Sequence, residues 1–380
     1  MFHDIHLSHG IPRLLRTLLD RPDLADRVRR FSNDKYTDYP SSQEFIPTLF
    51  NNLATRFGLD DVFTEFSDWV IKTRVNAVER ELWMLEMAVA LLNKVTVLFV
   101  TILVSNFEDK FVFGKLFMKS VTMSSVKRLF LSCHGHINCK LDLGCLGNFL
   151  GMMPRLERLD VQFCGGATQF LPLYELRSLI FDQSIISVAS LKRLVMSCPK
   201  LERFEYCGPR AESNIVDVLD FTWEEMQSIL ALRKNTLKHI NAGFHNFMLP
   251  YYTVRGEFGS FADFKALEKL LVEVFSLDPI GDFADLLPES LTLLGIRYIQ
   301  EEWNGVEELA NAVRSGRFSH LKKVVLDLGQ EEFEVARKQL DTASIACVRY
   351  NYRPRHFGNF FHVSSICLVV LFEHLTGNDD

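Results

Sequence analysis

The sequence predicts an α/β solenoid in which short strands alternate with helices, and three observations carry that reading. A phrase of the form Leu-x-x-Leu-x-Val recurs: Leu156, Leu159 and Val161 make one copy, and the spacing returns from Val95, Val126, Leu176, Leu201, Leu237, Leu267, Leu291 and Leu321. The last two apolar positions of each copy are two residues apart, so in a strand both point to one face. Many of the segments between copies carry apolar residues at helical spacing and stop before a Pro or Asn. From Leu98 to Val324 the nine copies cover 226 residues in eight steps, about 28 per step, inside or slightly above the roughly 20–29-residue period of leucine-rich repeats. The expected architecture is a leucine-rich-repeat solenoid with a curved parallel sheet on its concave face and helices on its convex face.

Taken in order, residues 11–19 read as a helix that tolerates Pro12 in its first turn and stops near Pro22. Val28 and Phe31 suggest a degenerate first repeat. Residues 33–42 are polar and turn-rich, and helical stretches are expected between Gln43 and Leu92 before the strand at Leu98. Helices are then expected over 146–150, 188–195, 223–230 and 305–313, ahead of Pro154, Pro199, Asn235 and Leu321, so that each unit reads helix, turn, strand. Cys164-Gly165-Gly166 and Gly281-Asp282 read as turns after strands. Val348 and Tyr350 suit a closing strand, whereas the last thirty residues, with Phe357, Phe360, Phe361 and the apolar run 366–372, fit the period poorly. The chain thus divides into an N-terminal helical cap with a degenerate repeat and helical insertion (1–92), an array of about nine repeats (93–350) and an atypical C-terminal cap or tail (351–380).

Composition narrows the function. Of the 380 residues 48% are hydrophobic, 32 are Phe and 24% are charged, enough apolar material for a long core and an ordinary charged surface. The net charge of −6 and the lack of any Lys/Arg cluster argue against nucleic acid as a partner. Eight cysteines, no Asn-x-Ser/Thr sequon and no signal-like start point to a reducing compartment, cytoplasmic or nuclear. The most apolar window, 82–104, holds Glu86, Asn93 and Lys94, and the run 366–372 is too short to cross a bilayer, so no membrane span is expected. Cys133, His134, His136, Cys139 and Cys145 gather potential metal ligands, but their spacing matches no zinc-finger arrangement and the cysteines read as buried structural thiols. No nucleophile elbow, His-Glu-x-x-His or phosphate-cradling glycine motif is present, so neither catalysis nor a cofactor is expected.

Particular phrases carry a family resemblance. The opening Leu14-Leu15-Arg16-Thr17-Leu18-Leu19 through Leu24, the strand leads Met153-Pro154-Arg155-Leu156-Glu157-Arg158-Leu159 and Cys198-Pro199-Lys200-Leu201-Glu202-Arg203-Phe204, and the late Phe318-Ser319-His320-Leu321-Lys322-Lys323-Val324 resemble the repeat region of fungal F-box/leucine-rich-repeat proteins over residues 10–350. In that family the repeats capture a target, and an N-terminal F-box docks the Skp-type subunit of a cullin ubiquitin ligase. Here Ile11-Pro12 stands where an F-box opens with Leu-Pro, and no closing Trp follows until Trp69. The resemblance therefore implies a target-binding array like the substrate-recognition part of a ubiquitin ligase receptor, joined to a Skp-type subunit only where an F-box exists. A stand-alone scaffold is the alternative.

Strand alternation names the surface. If Leu159 and Val161 face the core, then Arg158 and Asp160 face the open concave side, and the same holds unit by unit. The expected partner-binding residues are Arg128, Phe130, Arg158, Asp160, Arg203, Glu205, His239, Asn241, Arg297 and Lys323, a mixture of Arg, aromatic and acidic groups that suits a protein target.

Overall fold

The computed structural model describes residues 4–7, 11–33, 55, 85–103, 122–134, 141–208, 222–243, 259–273, 283–297 and 305–350. Their strands are β1 (Asp4–Leu7), β2 (Arg30–Asn33), β3 (Val97–Leu103), β4 (Arg128–His134), β5 (Leu141–Asp142), β6 (Arg158–Gln162), β7 (Cys164–Gly166), β8 (Ser178–Asp182), β9 (Arg203–Cys207), β10 (His239–Gly243), β11 (Lys269–Glu273), β12 (Leu293–Arg297), β13 (Lys323–Leu326) and β14 (Ala346–Arg349). Twelve form one sheet in the order β1-β2-β3-β4-β6-β8-β9-β10-β11-β12-β13-β14, and β5 and β7 form a small separate pair. Every neighbouring pair in the large sheet is parallel. The chain is therefore an α/β protein that advances along one sheet, a strand per step.

The register follows the repeated phrase. Leu98, Leu129, Leu159, Leu179, Phe204, Ile240, Leu270, Leu294 and Val324 are successive partners across eight strand pairs. All nine are fully buried within a single continuous core. Two residues on, Val100, Leu131, Val161, Phe181, Tyr206, Ala242, Val272, Ile296 and Leu326 make a second buried row, with Phe181 edge-on to Phe204 at 6.3 Å. The leading position of each phrase is buried as well, from Val95 through Leu321.

A backbone device repeats at the start of almost every strand and fixes this register. One carbonyl accepts two consecutive N–H groups of the next strand: Lys127 O takes the amides of Glu157 and Arg158, Glu157 O those of Arg177 and Ser178, and Arg177 O those of Glu202 and Arg203. Glu202, Lys238, Glu268 and Thr292 continue the series. A one-residue slip would break these pairs and turn every core side chain outward.

The helices expected over 11–19, 188–195, 223–230 and 305–313 are observed as Ile11–Asp20, Val188–Ser197, Trp223–Leu230 and Gly305–Arg314. Trp223–Leu230 starts with a capping box, in which the Thr222 side chain accepts from Glu225 N at 3.1 Å and the Glu225 carboxylate accepts from Thr222 N at 2.7 Å. The regular alternation of helix, turn and strand does not hold throughout. Between β6 and β8 the connection has no helix, and before β12 the described residues hold only the 3-10 turn Phe283–Leu286.

Cys164–Gly166, expected to be a turn, is the strand β7, held beside β5 because the Asp142 carboxylate accepts from Gly144 N, Thr168 N and Thr168 Oγ1 at 2.8, 3.0 and 2.8 Å. Gly166 sits there at φ 120, a conformation open to glycine and costly for other residues. The strand β1 and the helix Gln330–Asp341 were not anticipated, while β2 and β14 fall on the degenerate first repeat and the closing strand. Of the insertion expected over 43–92, only 55 and 85–92 are described, and 85–91 are helical. Gly281-Asp282 and the segment 351–380 lie outside the described residues.

Candidate partner-binding face

The side of the sheet opposite the core presents side chains in columns one residue wide. In the first column Arg128, Arg158, Ser178, Arg203, His239, Lys269, Leu293 and Lys323 are successive partners, and in the second Phe99, Phe130, Asp160, Ile180, Glu205, Asn241, Leu271, Gly295 and Val325. A third column includes Gln162, Asp182 and, further along, Arg297. All ten residues expected from alternation thus lie on one face, and the register brings most of them side by side.

Their surroundings differ from an evenly solvated row. Near β4 the face is aromatic and open. Phe99 and Phe130, both half-buried, stack with centroids 4.2 Å apart and planes 8° from parallel, beside the exposed Arg128. The Arg158 guanidinium reaches 5.7 Å from the Phe130 ring centre and donates from Nε to both Asp160 oxygens at 3.1 Å. On β9 Arg203 Nε donates to Glu205 at 2.5 Å, and His239 Nε2 and Asn241 Nδ2 lie 3.8 and 3.5 Å from the same carboxylate. Glu205, His239, Asn241 and Arg297 are buried.

Burial shifts two of these groups. Desolvation pushes the Asp160 carboxyl up to about 6, with Arg158 opposing the shift and Glu205 adding to it. Desolvation also holds His239 well below its ordinary value, reinforced by the positive charges of Arg203 and Lys269. On β6 and β9 the charges are thus paired along the strand rather than offered singly to solvent. Ser132 Oγ donates to Gln162 Oε1 at 2.9 Å and Gln162 Nε2 to Asp182 at 3.1 Å, which extends the polar network into the third column.

Beyond β10 the second column turns apolar. Leu271 and Leu293 form a small buried cluster apart from the main core, and Val325 is buried on the next strand. Gly295 allows this: a Cβ there would sit 1.8 Å from Leu271 Cδ1. Arg297 lies 4.9 Å from the ring centre of Tyr350. Sequence reasoning missed Phe99 and Tyr350. Phe99 stands between Leu98 and Val100 and was available from the same alternation, whereas nothing in the spacing placed Tyr350 over Arg297.

Among the described residues no group of three His, Cys, Asp or Glu side chains is arranged to hold a metal ion, and no helix is long and apolar enough to cross a membrane. His136 and Cys139 lie outside the described residues. By architecture the molecule belongs with α/β proteins built on one long parallel sheet, with a mixed aromatic and ion-paired face opposite the core. Compared with known sequences, it matches no protein-family model and no curated protein.

Proposed function

We propose that the chain is a non-enzymatic protein-interaction module: a leucine-rich-repeat array with its sheet concave and its helices convex, resembling the substrate-recognition part of an F-box ubiquitin ligase receptor. The observation that carries the reading is the half-exposed Phe99–Phe130 stack beside the exposed Arg128, on the face where residues from successive strands line up in register. Aromatic and Arg side chains are the favoured anchors of protein interfaces, and a rigid sheet holds them in place before a partner arrives. The rest of the row, with its internal ion pairs, shapes and orients the contact. Its compartment would be cytoplasmic or nuclear. A stand-alone scaffold without a ligase role is the second reading, favoured by Ile11-Pro12 and the late Trp69 in place of an F-box pattern.

Arg158 and Arg203 are poor probes of binding. Reversing either would set two carboxylates against each other at Asp160 or Glu205 and weaken the fold itself. Arg128→Glu combined with Phe130→Ser removes the anchors at the open end. Partners that co-purify with the full-length protein are expected to drop by at least about tenfold, which corresponds to the roughly 1.4 kcal/mol that a single anchor commonly contributes. Unchanged recovery with an intact circular dichroism spectrum would count against this face. A Skp-type subunit among the recovered proteins favours the receptor reading, and its absence favours the scaffold.

A further inference from the structure

Five large hydrophobic side chains stand exposed among the described residues: Phe170 (61%), Tyr174 (68%), Met196 (45%), Leu232 (44%) and Val335 (58%). Single exposed apolar residues are ordinary; a gathering of them is not. Four of the five gather around the end of the Val188–Ser197 helix. Leu171 N, next to Phe170, donates to Ser197 Oγ at 3.0 Å, and Arg233 Nη2, next to Leu232, donates to Met196 O at 3.0 Å. Glu175, next to Tyr174, pairs at 2.7 Å with Lys200, four residues beyond Met196. The surround is basic on balance: Lys192, one turn before Met196, with Arg193, Lys200, Arg233 and Lys234, against Glu175 and Asp263.

Val335 sits elsewhere, at the middle of the helix Gln330–Asp341. Glu331 and Glu332 lie one turn before it and Glu334 beside it; Arg337 pairs with Glu334 and Asp341, and Lys338 lies one turn after it, so the helix carries four acidic against two basic groups, with its first half acidic. The two surfaces are complementary in charge, and each has an apolar centre. They cannot meet within one chain, because the four strand steps from β9 to β13, at about 4.8 Å each, keep them roughly 19 Å apart or more.

We infer that the occupant of the Phe170, Tyr174, Met196 and Leu232 patch is a second copy of this chain, presenting its acidic Gln330–Asp341 helix around Val335. The contact joins two different surfaces, so it is head-to-tail, and each added copy leaves one surface of each kind free. A patch-to-patch contact would set basic rim against basic rim and is disfavoured. An anionic lipid surface would meet the Glu175 and Asp263 carboxylates in the rim of its contact, whereas an ordered protein surface can place its charges around them. The surface lies at the helix end, apart from the sheet face proposed to hold a protein target, so the two proposals stand or fall separately.

Sedimentation velocity of the full chain tests this. The average mass is expected to rise with protein concentration in low salt and to fall again in high salt, as screening removes the charge attraction. Met196→Glu with Leu232→Glu disables the first surface, and Glu331→Lys with Val335→Lys disables the second. Each variant alone should stay monomeric, with self-association weakened at least about tenfold. An equimolar mixture of the two should form a dimer and go no further, since each partner keeps one working surface. All four positions are exposed, and a circular dichroism spectrum checks that both variants fold. A parent chain that is monomeric at every concentration, a mixture that remains monomeric, or a single variant that still self-associates overturns the inference. So does binding of the parent to anionic vesicles without any self-association.

Discussion

At Gly295 a missing side chain decides the shape of a surface. Leu271 on the neighbouring strand fills the space that a Cβ would need, with its Cδ1 only 1.8 Å from that position. Gly295→Ala is expected to destabilise the protein by about 1–3 kcal/mol, because Leu271 must leave its buried rotamer, and Leu271→Ala in the same chain should recover part of the loss. Urea unfolding of the two single variants and the double variant reads the coupling; strictly additive changes would refute the contact. The ionisable pair on the same face gives opposite pH signatures. Asp160 has a folded pKa of about 6, above the roughly 3.9 of an unfolded Asp, so its contribution is present below about pH 4 and is lost as pH rises toward 6. His239 is depressed when folded, so its contribution is present above about pH 6.5 and is lost on acidification. Relative to the parent, Asp160→Asn should lose stability less steeply from pH 4 to 6, and His239→Gln should lose less on acidification below about pH 6.5. Parallel midpoint-versus-pH curves for the three proteins would contradict both assignments.

Individual elements were legible wherever local chemistry agreed with packing. The helix Trp223–Leu230 has its cap residue, its capping-box Glu and buried Trp223, Met226, Ile229 and Leu230 at helical spacing, so both its start and its core face stand in the sequence. Thr222→Ala is expected to cost about 1 kcal/mol by leaving a first-turn amide without its acceptor, and Glu225→Ala should add a further, smaller loss, because its carboxylate accepts from the backbone amide of residue 222, which the Ala keeps. Chemical denaturation of the single and double variants measures this. Gln330–Asp341 escaped the reading because it buries only Phe333, Ala336 and Leu340 and is otherwise polar, which leaves a weak apolar stripe. β7 escaped because two glycines read as a turn, whereas the hydrogen bonds that Asp142 accepts from Gly144 and Thr168 hold the segment extended beside β5.

Across the large sheet, each inner strand is hydrogen-bonded to its two neighbours and to no other strand of the sheet, so stability is expected to be local along the array. Phe204→Ala opens a cavity under β9, costing about 3–5 kcal/mol. In hydrogen exchange its effect should be greatest in β8, β9 and β10 and fade toward β3 and β13. Equal loss of protection from β3 to β13 would show instead that the array unfolds as one unit. The same linear plan explains why the proposed self-association surfaces are separate: one gathers around the connections that flank β8 to β10, and the other sits on the helix after β13.

The repeated Leu-x-x-Leu-x-Val phrase by itself determined nine of the strands, their parallel register and the rows of buried side chains. It could do so because a period of two along a strand and about 28 along the chain leaves one way to stack all the apolar positions together. The same alternation put Arg128, Phe130, Arg158, Asp160, Arg203, Glu205, His239, Asn241, Arg297 and Lys323 on the opposite face. Only the tertiary structure decided what they became there: open near Phe130, ion-paired at Asp160 and Glu205, and buried at His239, Asn241 and Arg297. The ion pairs join residues two apart on one strand, Arg158 with Asp160 and Arg203 with Glu205, but the burial around them and the contacts of His239, Asn241 and Arg297 come from residues twenty or more positions away, through distances and exposures that spacing along one chain does not encode.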